Sequence, residues 1–170
     1  MKRGTFKKKT YAEVMAQKAT KRSKIVSKPL KRKKVIPQRT KSKSTAKLKK
    51  DLDHYFSQFI RLKHSDANGN VACYTCGKIK HWKEQQNGHF ISRQYLVTRW
   101  NEDNCKPQCA GCNIFGNGQL LDFEERLKKE LGEEHVELMK KSRHAILKLD
   151  RGWYEQEITF YKKRVEELMK

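Results

Sequence analysis

Acidic residues are almost missing from the first 50 positions, where Glu13 stands alone against 20 Lys and Arg. Large apolar residues are scarce there too, and two of the chain's three prolines, Pro29 and Pro37, fall in the same segment. Such a stretch cannot bury enough surface to offset its ordering entropy. It reads as a mostly disordered basic arm, 1–50, with a short helix around Tyr11–Thr20 as its one candidate element. No run approaches the ~18 consecutive apolar residues of a spanning helix, so no membrane span is expected. The N-terminus also lacks the apolar core of a secretory signal. These absences point to an intracellular protein, where cysteines serve as zinc ligands or free thiols more often than as disulfides.

What is present is positive charge. The 170 residues carry 40 Lys and Arg against 19 Asp and Glu, a net +21. An excess of this size calls for a polyanionic partner, nucleic acid first and a membrane surface second. Nearly all of it lies in residues 1–50, which expects an arm that binds phosphates without sequence preference and is displaced by salt. A solubilising tail is the plain alternative.

Residues 51–170 are close to charge balance, with 20 basic and 18 acidic residues, and long enough for one folded domain. Leu52, Tyr55, Phe56, Phe59, Ile60 and Leu62 recur at helical spacing, and the turn-rich His64–Asn70 ends that helix. Three more helices follow the cysteine-rich region 73–118. One carries Leu120, Leu121, Phe123, Leu127 and Leu131 and closes at Gly132; the next holds Val136, Leu138 and Met139 and ends near Lys141. The last runs from about Trp153 to Lys170, with Ile158, Tyr161, Val165 and Leu168 as an apolar seam. That seam packs on the domain itself or on a second copy, as in a homodimer.

Two C-x-x-C pairs, Cys73/Cys76 and Cys109/Cys112, lie 32 residues apart. Each turn brings two thiolates to one side of a knuckle, and two knuckles supply the four sulfurs of a tetrahedral Zn²⁺ site. Free thiols or a redox pair are the competing explanation. Cys105 has no such mate and reads as a lone thiol. Between the pairs lie Asn87-Gly88-His89-Phe90 in a β-prone stretch and Trp100-Asn101-Glu102-Asp103-Asn104; Asn113 directly follows the last cysteine. A single histidine is more often structural than catalytic, and it is the order histidine, asparagine, knuckle, asparagine that singles out His89.

These segments, together with Arg99-Trp100-Asn101 and Gly116-Asn117, resemble the HNH, or ββα-metal, endonucleases, and in particular the bacteriophage NinG/Rap recombination family. The resemblance spans roughly residues 50–170. It implies an α+β fold: a small ββα-metal core on a four-cysteine zinc knuckle, flanked by helices. It further implies a phage-encoded, structure-selective DNA endonuclease working in the host bacterial cytoplasm on D-loops and Holliday junctions, alongside phage or host recombination proteins. By the same resemblance Cys73, Cys76, Cys109 and Cys112 hold structural zinc. His89 is the general base, or else a ligand. Asn104 pins the loop that orients His89, and Asn113 binds a catalytic Mg²⁺ or Mn²⁺. The sequence departs from the pattern at Gly88, where many such enzymes place a metal-binding Asp; Asn87, Asp103, Asn117 or an acid from another helix are the candidate substitutes.

The chemistry suits these residue types. A neutral imidazole near ~6.5 takes a proton from water, and Mg²⁺ prefers oxygen ligands while keeping several waters. Arg93, Arg99, Lys78, Lys80 and Lys83 are candidate phosphate contacts, with solvated surface charge as the alternative. Trp82 and Tyr95 are candidate stackers on unpaired bases, or core residues. A non-catalytic zinc-ribbon DNA-binding protein is the alternative function, and an RNA-binding accessory protein a third.

Overall fold

The computed structural model describes residues 43–170. Residues 1–42 of the arm, with the Tyr11–Thr20 helix, lie outside the described residues, whereas residues 45–50, expected to belong to the disordered arm, form the first turns of a helix. Helix α1, Thr45–Lys63, begins a little ahead of the predicted start, because Ser44 caps it by accepting from the Lys47 N–H at 3.3 Å. Its buried stripe is Leu48, Leu52, Phe56, Phe59, Ile60 and Leu62. The predicted stop at His64–Asn70 is an Asp66 turn, whose Oδ1 accepts the N–H groups of Asn68 and Asn70.

Two short hairpin-like sheets follow. Strands β1 (Asn70–Ala72) and β2 (Ile79–His81) pair antiparallel, with the first C-x-x-C turn between them. Strands β3 (Gln86–His89) and β4 (Cys105–Gln108) also pair antiparallel, aligning Gly88 with Lys106 and His89 with Cys105. The β3–β4 connection holds a one-turn helix α2, Leu96–Arg99, and a 3₁₀ turn, Glu102–Asn104. After the second C-x-x-C comes a π-helical turn, Gly111–Phe115.

Helices α3 (Leu120–Leu131), α4 (Glu133–Ser142) and α5 (Arg151–Leu168) complete the described chain. Gly132 separates α3 from α4 at φ +89°, a conformation costly to any residue with a Cβ. The α5 seam is satisfied internally: Tyr161 packs edge-on against Phe56 with ring centres 5.0 Å apart, and Val165 joins the same core. A second copy is therefore not needed to cover most of it, although Leu168 stays exposed.

Two apolar clusters result. α1, α5, Val71 and Trp82 form one; Phe90 and Ile91, which follow β3, enter the other with Phe123, Leu127, Val136 and Met139. His89 is thus the last strand residue before the chain plugs into the second cluster. Among the described residues, no helix is long and apolar enough to cross a membrane.

Candidate metal centre and catalytic cleft

The four cysteines of the two C-x-x-C turns converge, with all four sulfurs within 4.8 Å of one another. A Zn–S bond of ~2.3 Å sets tetrahedral sulfurs about 3.8 Å apart, and Cys76 Sγ lies 3.8 Å from Cys109 Sγ. The knuckles are built by backbone bonds: Gly77 N–H to the Cys73 carbonyl at 2.9 Å, and the Cys112 and Asn113 N–H groups to the Cys109 carbonyl at 3.1 and 2.9 Å. Tyr74 N–H to the Pro107 carbonyl at 2.8 Å ties the first knuckle to β4.

Burial raises the Cys73 thiol, but backbone donors and the Thr75 hydroxyl outweigh it and bring the group down to about 6. The Thr75 hydroxyl also favours the Cys112 thiolate, yet burial and the three neighbouring sulfurs push Cys112 up to about 12. Four thiols this close cannot all ionise alone, and a divalent cation that accepts soft ligands resolves the repulsion. The donor set therefore fits zinc. Cys105 is outside the cluster, fully buried, its thiol held neutral by burial.

Beside the knuckles opens a cleft of about 620 Å³ whose lining includes His89, Asn87, Asn113, Asn117 and Arg93. Residues from β3, from the turn after the fourth cysteine and from α1 thus meet at one surface. The His89 Nε2 lies 3.1 Å from the Arg99 carbonyl. A carbonyl only accepts, so this nitrogen carries the hydrogen and Nδ1 keeps the lone pair. Burial lowers the His89 pKa below the ordinary imidazole value, against the hydrogen bonds to the Arg99 and Asn87 backbone and the nearby Asp53 charge. The neutral form, the one able to accept a proton, is favoured.

Asn104 is buried and saturated. It donates to the Ile91 carbonyl at 2.9 Å and the Thr98 carbonyl at 3.0 Å, and accepts from Ile91 N–H at 2.7 Å. It therefore ties Ile91 and Thr98 together in the loop that follows His89 and does not line the cleft.

Asn113 donates its amide N–H to Gln86 Oε1 at 2.6 Å, which leaves its Oδ1 as the acceptor atom. Asn87 Oδ1 is buried without a hydrogen-bond partner. The Asn87 residue lines the cleft but its amide oxygen is turned inward, so Asn113 Oδ1 is the amide acceptor that the hydrogen bonds leave open. Gly88 contributes nothing: a Cβ there would meet Gln108 Oε1 at 2.1 Å, so the Gln108 side chain fills the space an acid would need. Gln108 is itself pinned, donating to Gly118 O at 2.8 Å and Thr75 Oγ1 at 3.2 Å. Asp103 pairs with His135 at 3.1 Å and does not line the cleft.

Several expected contacts take other roles. Arg99 is not a free phosphate contact: its guanidinium makes a two-pronged bond to Asp53, at 2.9 and 2.6 Å, and a third to the Arg93 carbonyl at 2.6 Å. Trp82 is 8% exposed and belongs to the first core. Tyr95 packs partly buried against the second, with the His144 ring at 5.2 Å. Burial keeps the Trp82 ring from stacking on a base. Lys80 pairs with Glu84, Lys83 lies over the Trp82 ring, and neither these nor Lys78 line the cleft. Arg93 does, and a shallower groove beside it adds Lys50.

Asp53 and Gln86 are the residues that sequence reasoning missed. Asp53 sits on α1 with Phe56 and Ser57 at helical spacing, all three facing the cleft, and also accepts from Trp100 Nε1 at 2.9 Å. An acid at the edge of an apolar stripe is ordinary, and nothing in the motif region signals it.

A family model described as NinG, Bacteriophage Lambda NinG protein, matches residues 1–170. No curated protein and no solved structure matches the chain.

Proposed function

Because the chain belongs to the NinG family, we propose that it is a metal-dependent, structure-selective DNA endonuclease acting on branched recombination intermediates such as D-loops and Holliday junctions. The reading rests above all on one observation: His89 and Asn113 line a single cleft directly beside the four-cysteine cluster. That arrangement supports an HNH-type, ββα-metal centre.

In this reading zinc is structural, bound by Cys73, Cys76, Cys109 and Cys112. It fixes the far ends of the segment that carries His89 and Asn113. His89 accepts a proton from the attacking water at Nδ1, while the Arg99 carbonyl holds the ring through Nε2. Asn113 would hold Mg²⁺ or Mn²⁺, with Gln86 orienting its amide and with Asn87 and Asn117 lining the same cleft. When bound, such a cation neutralises charge on the phosphate and the leaving oxygen. Arg93 and Lys50 contact flanking phosphates. The 20 basic residues of the first 50 supply salt-sensitive, sequence-independent affinity.

The test is cleavage of a four-way junction by zinc-loaded protein with Mg²⁺ or Mn²⁺. Wild type nicks the junction; His89→Ala loses about 10²–10⁴-fold in rate while binding DNA as before. Asn113→Ala loses activity that added Mn²⁺ partly restores. Gly88, closed off by Gln108, favours the second reading, a non-catalytic zinc-ribbon DNA-binding protein. Intact junctions under every divalent metal, with binding retained, would establish that reading instead.

A further inference from the structure

Phe115 is the one exposed Phe, Trp or Tyr among the described residues, at 82%. It does not stand alone. Ile114 (55%), Leu120 (49%) and Leu121 (86%) are exposed with it. Single exposed apolar side chains need no explanation, but four within eight residues concentrate apolar surface on one short stretch. Ile114 and Leu120 also line the cleft that contains His89 and Asn113. The patch is therefore continuous with the candidate catalytic surface.

The turn that presents Phe115 is fixed. Gly116 N–H closes the π-helical turn on the Gly111 carbonyl at 2.8 Å, and Gly118 N–H bonds the carbonyl of Cys112, one of the four clustered cysteines, at 2.8 Å. Gln108 donates to Gly118 O from beneath. Asn117 and Gln119 both adopt left-handed backbone, at φ 49° and 50°, which residues with a Cβ rarely do. Collapse of the ring onto the protein is thus opposed by a turn anchored to the cysteine cluster.

We infer that Phe115, flanked by Ile114 and Leu121, is an apolar wedge that stacks on an unpaired base at a DNA branch point and so sets the phosphate cut in the adjacent cleft. This rests on the endonuclease reading above. Duplex DNA offers no open base face, whereas a branch point does; aromatic side chains stack on any base, and apolar wedges enter opened base steps. A nucleic-acid occupant is favoured over a protein because the patch borders a cleft bearing Arg93, next to a groove that adds Lys50, on a chain whose first 50 residues hold 20 Lys and Arg. Phe115 follows Ile114, which lines the cleft together with Asn113.

The experiment measures dissociation constants of the zinc-loaded full chain for a four-way junction and for linear duplex of equal length, without Mg²⁺ or Mn²⁺. Phe115→Ala should weaken junction binding roughly 5- to 100-fold and leave duplex binding within about twofold. Phe115→Trp should keep the junction preference, and its folded state gives a second reading if the alanine variant loses zinc or stability. Equal weakening on both DNAs, or none on either, overturns the wedge. A changed sedimentation mass of DNA-free Phe115→Ala with unchanged junction preference assigns the patch to self-association and overturns it too. If the predicted pattern appears but wild type cleaves nothing with either metal, the wedge stands and the endonuclease reading fails.

Discussion

The helical frame and the knuckle segment are held together by different physics. Where α1 meets α5, Phe56, Phe59, Tyr161 and Val165 bury apolar surface against each other. Between Cys73 and Gly118 the chain has few such residues and relies on sulfurs, amide side chains and backbone bonds: Asn104, Gln108 and Gln85 are all buried and all bond main-chain carbonyls. Hydrophobic packing tolerates exchange of one apolar residue for another. A lattice of amides positions groups more finely, but it depends on every member and on the ion that closes it. The candidate catalytic groups sit in the second kind of structure, and the first kind steadies them through Asp53.

This contrast is broken most strongly by removing zinc. Structural zinc carries about 10–16 kcal/mol of apparent binding free energy in small zinc modules. Chelation, or Cys109→Ser, should therefore abolish junction cleavage and expose the 73–118 amides to hydrogen exchange. The α1 and α5 amides should keep most of their protection. Uniform loss of protection would mean the two regions fold as one unit.

Tyr161→Ala attacks the other side. Truncating a buried aromatic costs about 3–5 kcal/mol, read as a lower denaturation midpoint. Zinc stoichiometry should stay at one per chain in the folded protein. Loss of zinc at temperatures where the protein remains folded would contradict the separation.

Asp53→Ala probes the joint between them. It frees the Arg99 guanidinium and loosens the carbonyl that orients His89, so kcat should fall about 10–100-fold. KM for the junction should change little. A variant altered in KM alone would mark Asp53 as a binding residue.

The smallest expected effect is on pH. Burial lowers the His89 pKa, so the neutral base is populated above the ordinary value of ~6.5. Cleavage should be flat from neutral pH upward and decline only below ~6.5. His89 binds protons more weakly folded than unfolded. Its stability contribution is thus present above the unfolded value and lost as pH falls through it toward the folded one. In Asp53→Ala the acid limb should move further down, since the Asp53 charge raises the His89 value.

Much of this is legible from sequence because it depends on spacing. The apolar periods of α1, α3 and α5, the Gly132 break and the two C-x-x-C turns all appear where their patterns put them. His89 and Asn113 stand out by their order along the chain. What escapes depends on which side chains meet across distance. Nothing local distinguishes Arg99, committed to Asp53, from Arg93, open at the cleft. Trp82 and Phe115 are both aromatic residues in a polar stretch, and only the packed structure separates a core ring from an exposed one. Gly88 reads in the sequence as a missing ligand; it is also the place where Gln108 needs room.

The central claim is that His89 and Asn113 act on one phosphate, and a double-mutant cycle on junction cleavage tests it most directly. With His89→Ala, Asn113→Ala and the double variant, all zinc-loaded, the account predicts that the double loses little more rate than the worse single. Losses that multiply, with the double slower by the product of the two singles, would show the two residues working independently and contradict a shared site.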